Sequence, residues 1–165
     1  MSWPTFELVR LDSTERVAPA VADRLADPGV PRGLGGYDLL DQARPLPGDD
    51  TADLICFGTV GPFGRICVRA STGAVVHVPN PERITTNTVN TDLDRLAGCV
   101  RAVADRFPFY SADSDPEDWD RAAADLRAAL AAIDPAAEAN HGFWQTFVDD
   151  VAMGIYSTEE VLDED

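Results

Sequence analysis

The chain has 165 residues, of which 45% are hydrophobic and 8% aromatic, the composition of a folded globule rather than a disordered tail. It carries 29 acidic residues against 13 basic ones, and every basic residue is Arg, for a formal net charge of −16. That balance argues against binding a nucleic-acid backbone, which needs clustered cations, and no apolar run approaches the roughly 18 residues of a membrane helix.

The excess of acid favours a basic protein partner, whose approach the field would accelerate. Solubility, and the codon bias of a GC-rich genome, produce the same excess. The length fits one domain, expected over residues 1–156, with an acidic tail over 157–165. Residues 1–10 lack the basic-then-apolar layout of a secretion signal, so the expected location is the cytoplasm.

In chain order, Trp3, Phe6, Leu8 and Leu11 form a segment able to cover the body of the domain. A first helix is predicted over 18–26, with Pro19 in its first turn and Val21 and Leu25 as an i, i+4 apolar pair. Asp27-Pro28-Gly29 stops it. Residues 28–52 hold five Gly and four Pro and read as a long connection with little regular structure. Within it, Gly33-Leu34-Gly35-Gly36-Tyr37 has the glycine density of a phosphate loop but no strand before it and no Lys after it.

The centre reads as sheet. Strands are predicted over 53–60, 65–70 and 74–78, joined by the turns Gly61-Pro62-Phe63-Gly64 and Ser71-Thr72-Gly73, as an antiparallel meander. In the first strand Ile55 and Phe57 face one way and Leu54 and Cys56 the other, so both faces are expected to be buried. A further strand is expected near 84–88. Asn90 or Thr91 then caps a helix whose apolar positions Leu93, Leu96, Val100, Val103 and Phe107 form one face. Asp113-Ser114-Asp115-Pro116 opens the next helix, with a stripe of Trp119, Ala123, Leu126, Leu130 and Ile133, and Asp134-Pro135 ends it. A last helix over 142–152 carries Phe143, Trp144, Phe147 and Val151, with Gly154 placed to terminate it. The fold class is therefore α+β, a central mostly antiparallel sheet flanked by helices.

Catalytic chemistry needs a nucleophile, base or metal with a supporting partner. His77 falls in a predicted strand and His141 in a loop, each alone. No Gly-x-Ser-x-Gly elbow, Walker loop or zinc-deaminase signature occurs. Cys56, Cys67 and Cys99 are far apart in apolar patterns, as expected of buried reduced thiols. No catalytic residue, metal or other cofactor is expected. The candidate partner-binding residues are Phe63, a phenylalanine at a turn tip, and the acidic stretches Asp49, Asp50 and Asp53, and Asp113, Asp115, Glu117 and Asp118. The acidic cluster around 113–118 also reads as helix capping and solvation, and a turn-tip Phe also reads as one folded back onto a helix.

The order of motifs carries a resemblance. Gly29-Val30-Pro31 follows a short helix, and the strand pair Leu54-Ile55-Cys56-Phe57-Gly58 and Arg65-Ile66-Cys67-Val68 leads to Gly73-Ala74-Val75-Val76. Asn90-Thr91-Asp92-Leu93 opens a helix, and Ile133-Asp134-Pro135 precedes Phe143-Trp144. This pattern resembles the SUKH superfamily, and within it the fourth immunity subfamily, over residues 18–155. It departs at Val30, where the pattern has Leu, and over 33–50, which has no clear counterpart. The resemblance implies a SUKH-like fold and a protein that binds and silences a bacterial toxin domain from a polymorphic toxin system. A basic nuclease fits the charge. It implies no catalytic residues. The other reading is an intracellular regulatory or adaptor protein on the same scaffold, bound to a housekeeping partner.

Overall fold

The structure, a computed structural model, describes residues 4–138 and 142–157. A two-stranded antiparallel ribbon pairs β1 (Glu7–Val9) with β2 (Val30–Arg32) around helix α1 (Pro19–Ala26). A five-stranded antiparallel meander follows in the order β3 (Tyr37–Pro45), β4 (Leu54–Val60), β5 (Gly64–Arg69), β6 (Val75–Val78) and β7 (Asn87–Asn90). Helices α2 (Leu93–Arg106), α3 (Pro116–Ile133) and α4 (Phe143–Ala152) complete the α+β fold. Among the described residues no helix is long and apolar enough to cross a membrane.

The expected two-sided burial of β4 is present, and it organises the molecule. Ile55 and Phe57 join the main core with Ile66, Val68, Val75, Val89 and the inner faces of α1 to α4. Leu54 and Cys56 join a second cluster with Leu46, Cys67, Val76 and Val78 on the opposite face. Helices thus cover one face of the sheet. On the other, Leu40 and Ala74 pack against the smaller cluster. Removing a side chain such as Phe57 or Ile55 from water contributes roughly 1.5–3 kcal/mol, and the apolar stripes of the helices join the same core for that reason, α3 by packing on α2 and α4.

Three expectations are corrected. Residues 28–52 are not an irregular connection: they supply β2 and the nine-residue β3. β3 is an edge strand, so only Tyr37 and Ala43 need burial, while Asp38, Asp41, Gln42 and Arg44 face solvent and hide the apolar alternation. Its register breaks between Leu39 and Arg44, which blurs the period further. The strand expected near 84–88 forms at Asn87–Asn90, because Val89 is the residue that reaches the core. The cap of α2 is neither Asn90 nor Thr91. Asp92 accepts from the Arg95 amide at 2.8 Å, and its two predecessors are used elsewhere.

The helix stops one residue short of the expected stripe: Phe107 is the C-cap of α2 and opens an aromatic segment with Phe109 and Tyr110. Phe107 and Phe109 meet edge to face at 5.7 Å, and Phe109 meets Tyr156 at 5.3 Å and Phe147 at 6.2 Å. The Tyr110 hydroxyl donates to the Val151 carbonyl and accepts from the Tyr156 amide, tying this segment to the end of α4. Gly154, with φ of 72°, ends α4 as expected. A Cβ there would lie 2.7 Å from the Trp119 ring, so the turn also needs glycine to admit α3. At the other end of the chain Leu11 is buried and Phe6 packs on the core under the Arg101 guanidinium, while Leu8 is exposed. Trp3, His141 and the acidic tail beyond 157 lie outside the described residues.

Candidate functional site

The motif residues far apart in sequence converge on one buried polar network. Asn90 ends β7, Asp134 caps the C-terminus of α3 and Trp144 sits in the first turn of α4. Trp144 Nε1 donates to Asn90 Oδ1 at 2.9 Å, and Asn90 Nδ2 donates to Asp134 Oδ2 at 3.0 Å. The Thr91 amide and hydroxyl donate to the same carboxylate at 2.7 and 2.8 Å, and the Ala136 amide donates at 3.1 Å. Burial opposes the Asp134 charge, but these hydrogen bonds outweigh it and hold the carboxyl below its ordinary range. Every oxygen and nitrogen of this cluster is occupied by protein. It joins β7, α3 and α4.

The predicted partner-binding residues fall in three places. Phe63 stands at the tip of the β4–β5 turn and is 71% exposed, free of any helix. Asp49, Asp50 and Asp53 lie before β4, at the opposite end of that strand and about 20 Å from the turn at ~3.3 Å per residue. Two of these three are engaged: Asp49 accepts from the Thr51 amide and hydroxyl and from the Leu54 amide, which lowers its pKa, and Asp53 accepts from Ser71 and pairs with Arg69. Asp50 is exposed. At the third place Asp115 and Asp118 form the capping box of α3, while Asp113 and Glu117 remain exposed. Phe63 and the Asp49, Asp50 and Asp53 stretch therefore stand at opposite ends of β4.

A cleft of about 490 Å³ opens beside the Phe63 turn. One wall is the corner of the sheet, where Gly36 and Gly61 meet through a 3.2 Å backbone hydrogen bond. A Cβ on either glycine would meet nothing within 4 Å, so the backbone is uncovered at these two points between Leu34, Val60 and Pro79. The other wall is α4, which presents Phe143, Thr146, Phe147 and Asp150. His77 lines the cleft from β6; burial lowers its pKa, so its ring is neutral at pH 7. Asp150 has its pKa raised by burial and then by neighbouring Asp149. No hydrogen bond or ion pair reaches Asp150 among the described residues. It is the cleft's one carboxyl group among them, with no arginine paired to it.

Sequence reasoning passed over this cleft. Gly35 and Gly36, of the glycine-rich segment, share the cleft with a carboxylate and no arginine, the wrong electrostatics for a phosphate. Asp150 lay hidden in the acidic background. The available signal was the spacing of Phe143, Thr146, Phe147 and Asp150, which sets two polar positions on the same face of α4 as two aromatic ones. The cysteines are buried and free, with burial pushing the Cys99 thiol up to about 11. Among the described residues no group of three His, Cys, Asp or Glu is arranged to hold a metal.

No curated protein and no solved structure matches the chain. The family model of the SUKH-4 immunity proteins matches residues 13–150. That span runs from the segment before α1 to the Asp150 of the cleft and contains the whole Asn90–Asp134–Trp144 network. The chain belongs to the SUKH-4 immunity protein family.

Proposed function

We propose that this protein neutralises a cognate bacterial toxin domain by binding it, in the cytoplasm of the cell that makes it, without catalysing a reaction. Membership of the immunity family over residues 13–150 carries the reading. The net charge of −16 supports a basic toxin, of which a nuclease is the class that fits best: an acidic protein approaches it quickly and competes with its nucleic-acid substrate for the same cations. No nucleic acid or membrane takes part in this reading.

Co-expression tests it. The toxin domain encoded beside this gene should arrest growth alone and should be tolerated when this protein is made with it. The two should leave a size-exclusion column as one complex. Unrelieved arrest with no complex would overturn the reading.

A further inference from the structure

We propose that the cleft between α4 and the Gly36–Gly61 corner of the sheet receives an arginine side chain of the protein partner, with Asp150 as its counter-ion. The inference rests on the immunity reading and names the surface that would carry it. Three observations converge. Asp150 is a half-buried carboxylate with no cation of this chain near enough to pair, although the chain pairs many of its other acids with arginine. The rings of Phe143 and Phe147 line the same wall, and a planar guanidinium both stacks on aromatic faces and forks onto a carboxylate, which a lysine ammonium does not. On the opposite wall, between Leu34, Val60 and Pro79, Gly36 and Gly61 have open space where a side chain would stand, so a partner's chain can approach their backbone closely. Thr146 and Asn87 add polar atoms for the remaining guanidinium N–H groups.

The rim fits a protein rather than a free small molecule. Phe63, 71% exposed, stands on the turn whose Gly61 lines the cleft, and Met153, 63% exposed, continues the Thr146–Asp150 stripe of α4. A charged anchor in a cleft flanked by exposed apolar side chains is the arrangement of an interface centre and its surround. The acidic field of the whole chain points a basic partner the same way.

The test measures the affinity of the purified toxin domain from the neighbouring gene for the full-length protein and its variants, each first checked by thermal melting. Asp150→Asn should weaken binding about 30-fold and Asp150→Lys further still, whereas Asp150→Glu, which keeps the charge, should recover most of the loss. Phe63→Asp should also weaken the complex, while Asp105→Asn, an exposed acid on α2, should change affinity by no more than about 3-fold. Because burial disfavours the Asp150 charge, Asp150→Asn should melt at or above the wild-type temperature, so lost binding would not be lost folding. Wild-type binding with Asp150→Lys unimpaired would overturn the cleft and leave the immunity reading standing. Equal loss from Asp150→Asn and Asp105→Asn would also overturn it, showing a diffuse field instead of an anchor. No binding by the wild-type protein would overturn the immunity reading and the cleft with it.

Discussion

Asp134 and Asp150 show how the same side chain serves opposite ends. The Asp134 carboxylate receives four hydrogen bonds from protein groups, two of them backbone amides. Replacing it strands those donors in a buried site. Asp134→Ala should therefore cost roughly 3 kcal/mol, read as a lower urea midpoint, and a loss below about 1 kcal/mol would show that the network is not what joins β7 to α3 and α4. The pH dependence has a definite sign. A carboxyl with its folded pKa below its unfolded value stabilises the fold above the unfolded value, near 3.9, and loses that contribution as pH falls through the folded one. The stability gap between wild type and Asp134→Asn should accordingly be full at pH 6 and shrink below about pH 4. Asp150 has the reverse sign: its pKa is raised by burial and then by Asp149, so its contribution is present at low pH and fades as it ionises.

At the scale of elements, the acidic residues around 113–118 divide by role. Asp115 accepts from the Asp118 amide at 3.0 Å, and Asp118 accepts in return from the Asp115 amide at 3.1 Å, closing both ends of the box at the start of α3. Asp115→Ala should remove about 1 kcal/mol and lower the melting temperature by about 2–4 °C, while Asp113→Ala and Glu117→Ala should leave it within about 1 °C. A shift of equal size at all three positions would mean that local charge, not capping, is being measured. The same helix shows why much of the fold was legible. Pro116, its acidic first turn, a 3.6-residue stripe and Asp134-Pro135 are all local signals, and α3 runs between those limits. The β4–β6 meander was legible for a similar reason, since its turns are short and its strands apolar. β3 was not, because an edge strand with four exposed polar positions and a register break carries little periodicity of its own; its pairing with β4 supplies it. The network was half legible: its residues stood out as motifs, but Asn90 as a cap and Asp134 as a breaker are what local rules make of groups whose partners lie 44 residues apart. The cleft was illegible in the same way, because Gly36, Gly61, His77 and Asp150 meet only when sheet and α4 are packed.

For the whole molecule, the net charge and the cleft predict different halves of the binding kinetics. A charge of −16 spread over the surface acts at long range and is screened over about 10 Å at 0.1 M salt and about 3 Å at 1 M. Association with a basic toxin should therefore slow about 10-fold or more between 0.05 and 0.5 M salt, with dissociation changing much less. Asp150 acts at contact, partly shielded from solvent ions by the cleft walls. Asp150→Asn should speed dissociation while leaving the association rate and its salt slope almost unchanged, since it removes one charge from a field made by many. Stopped-flow association and dissociation at several salt concentrations separate the two effects. If association proved indifferent to salt, the acidic composition would be serving solubility or following codon usage, and specificity would rest on the cleft alone. If Asp150→Asn altered the salt slope of association as much as the dissociation rate, the carboxylate would belong to the field, not to a contact.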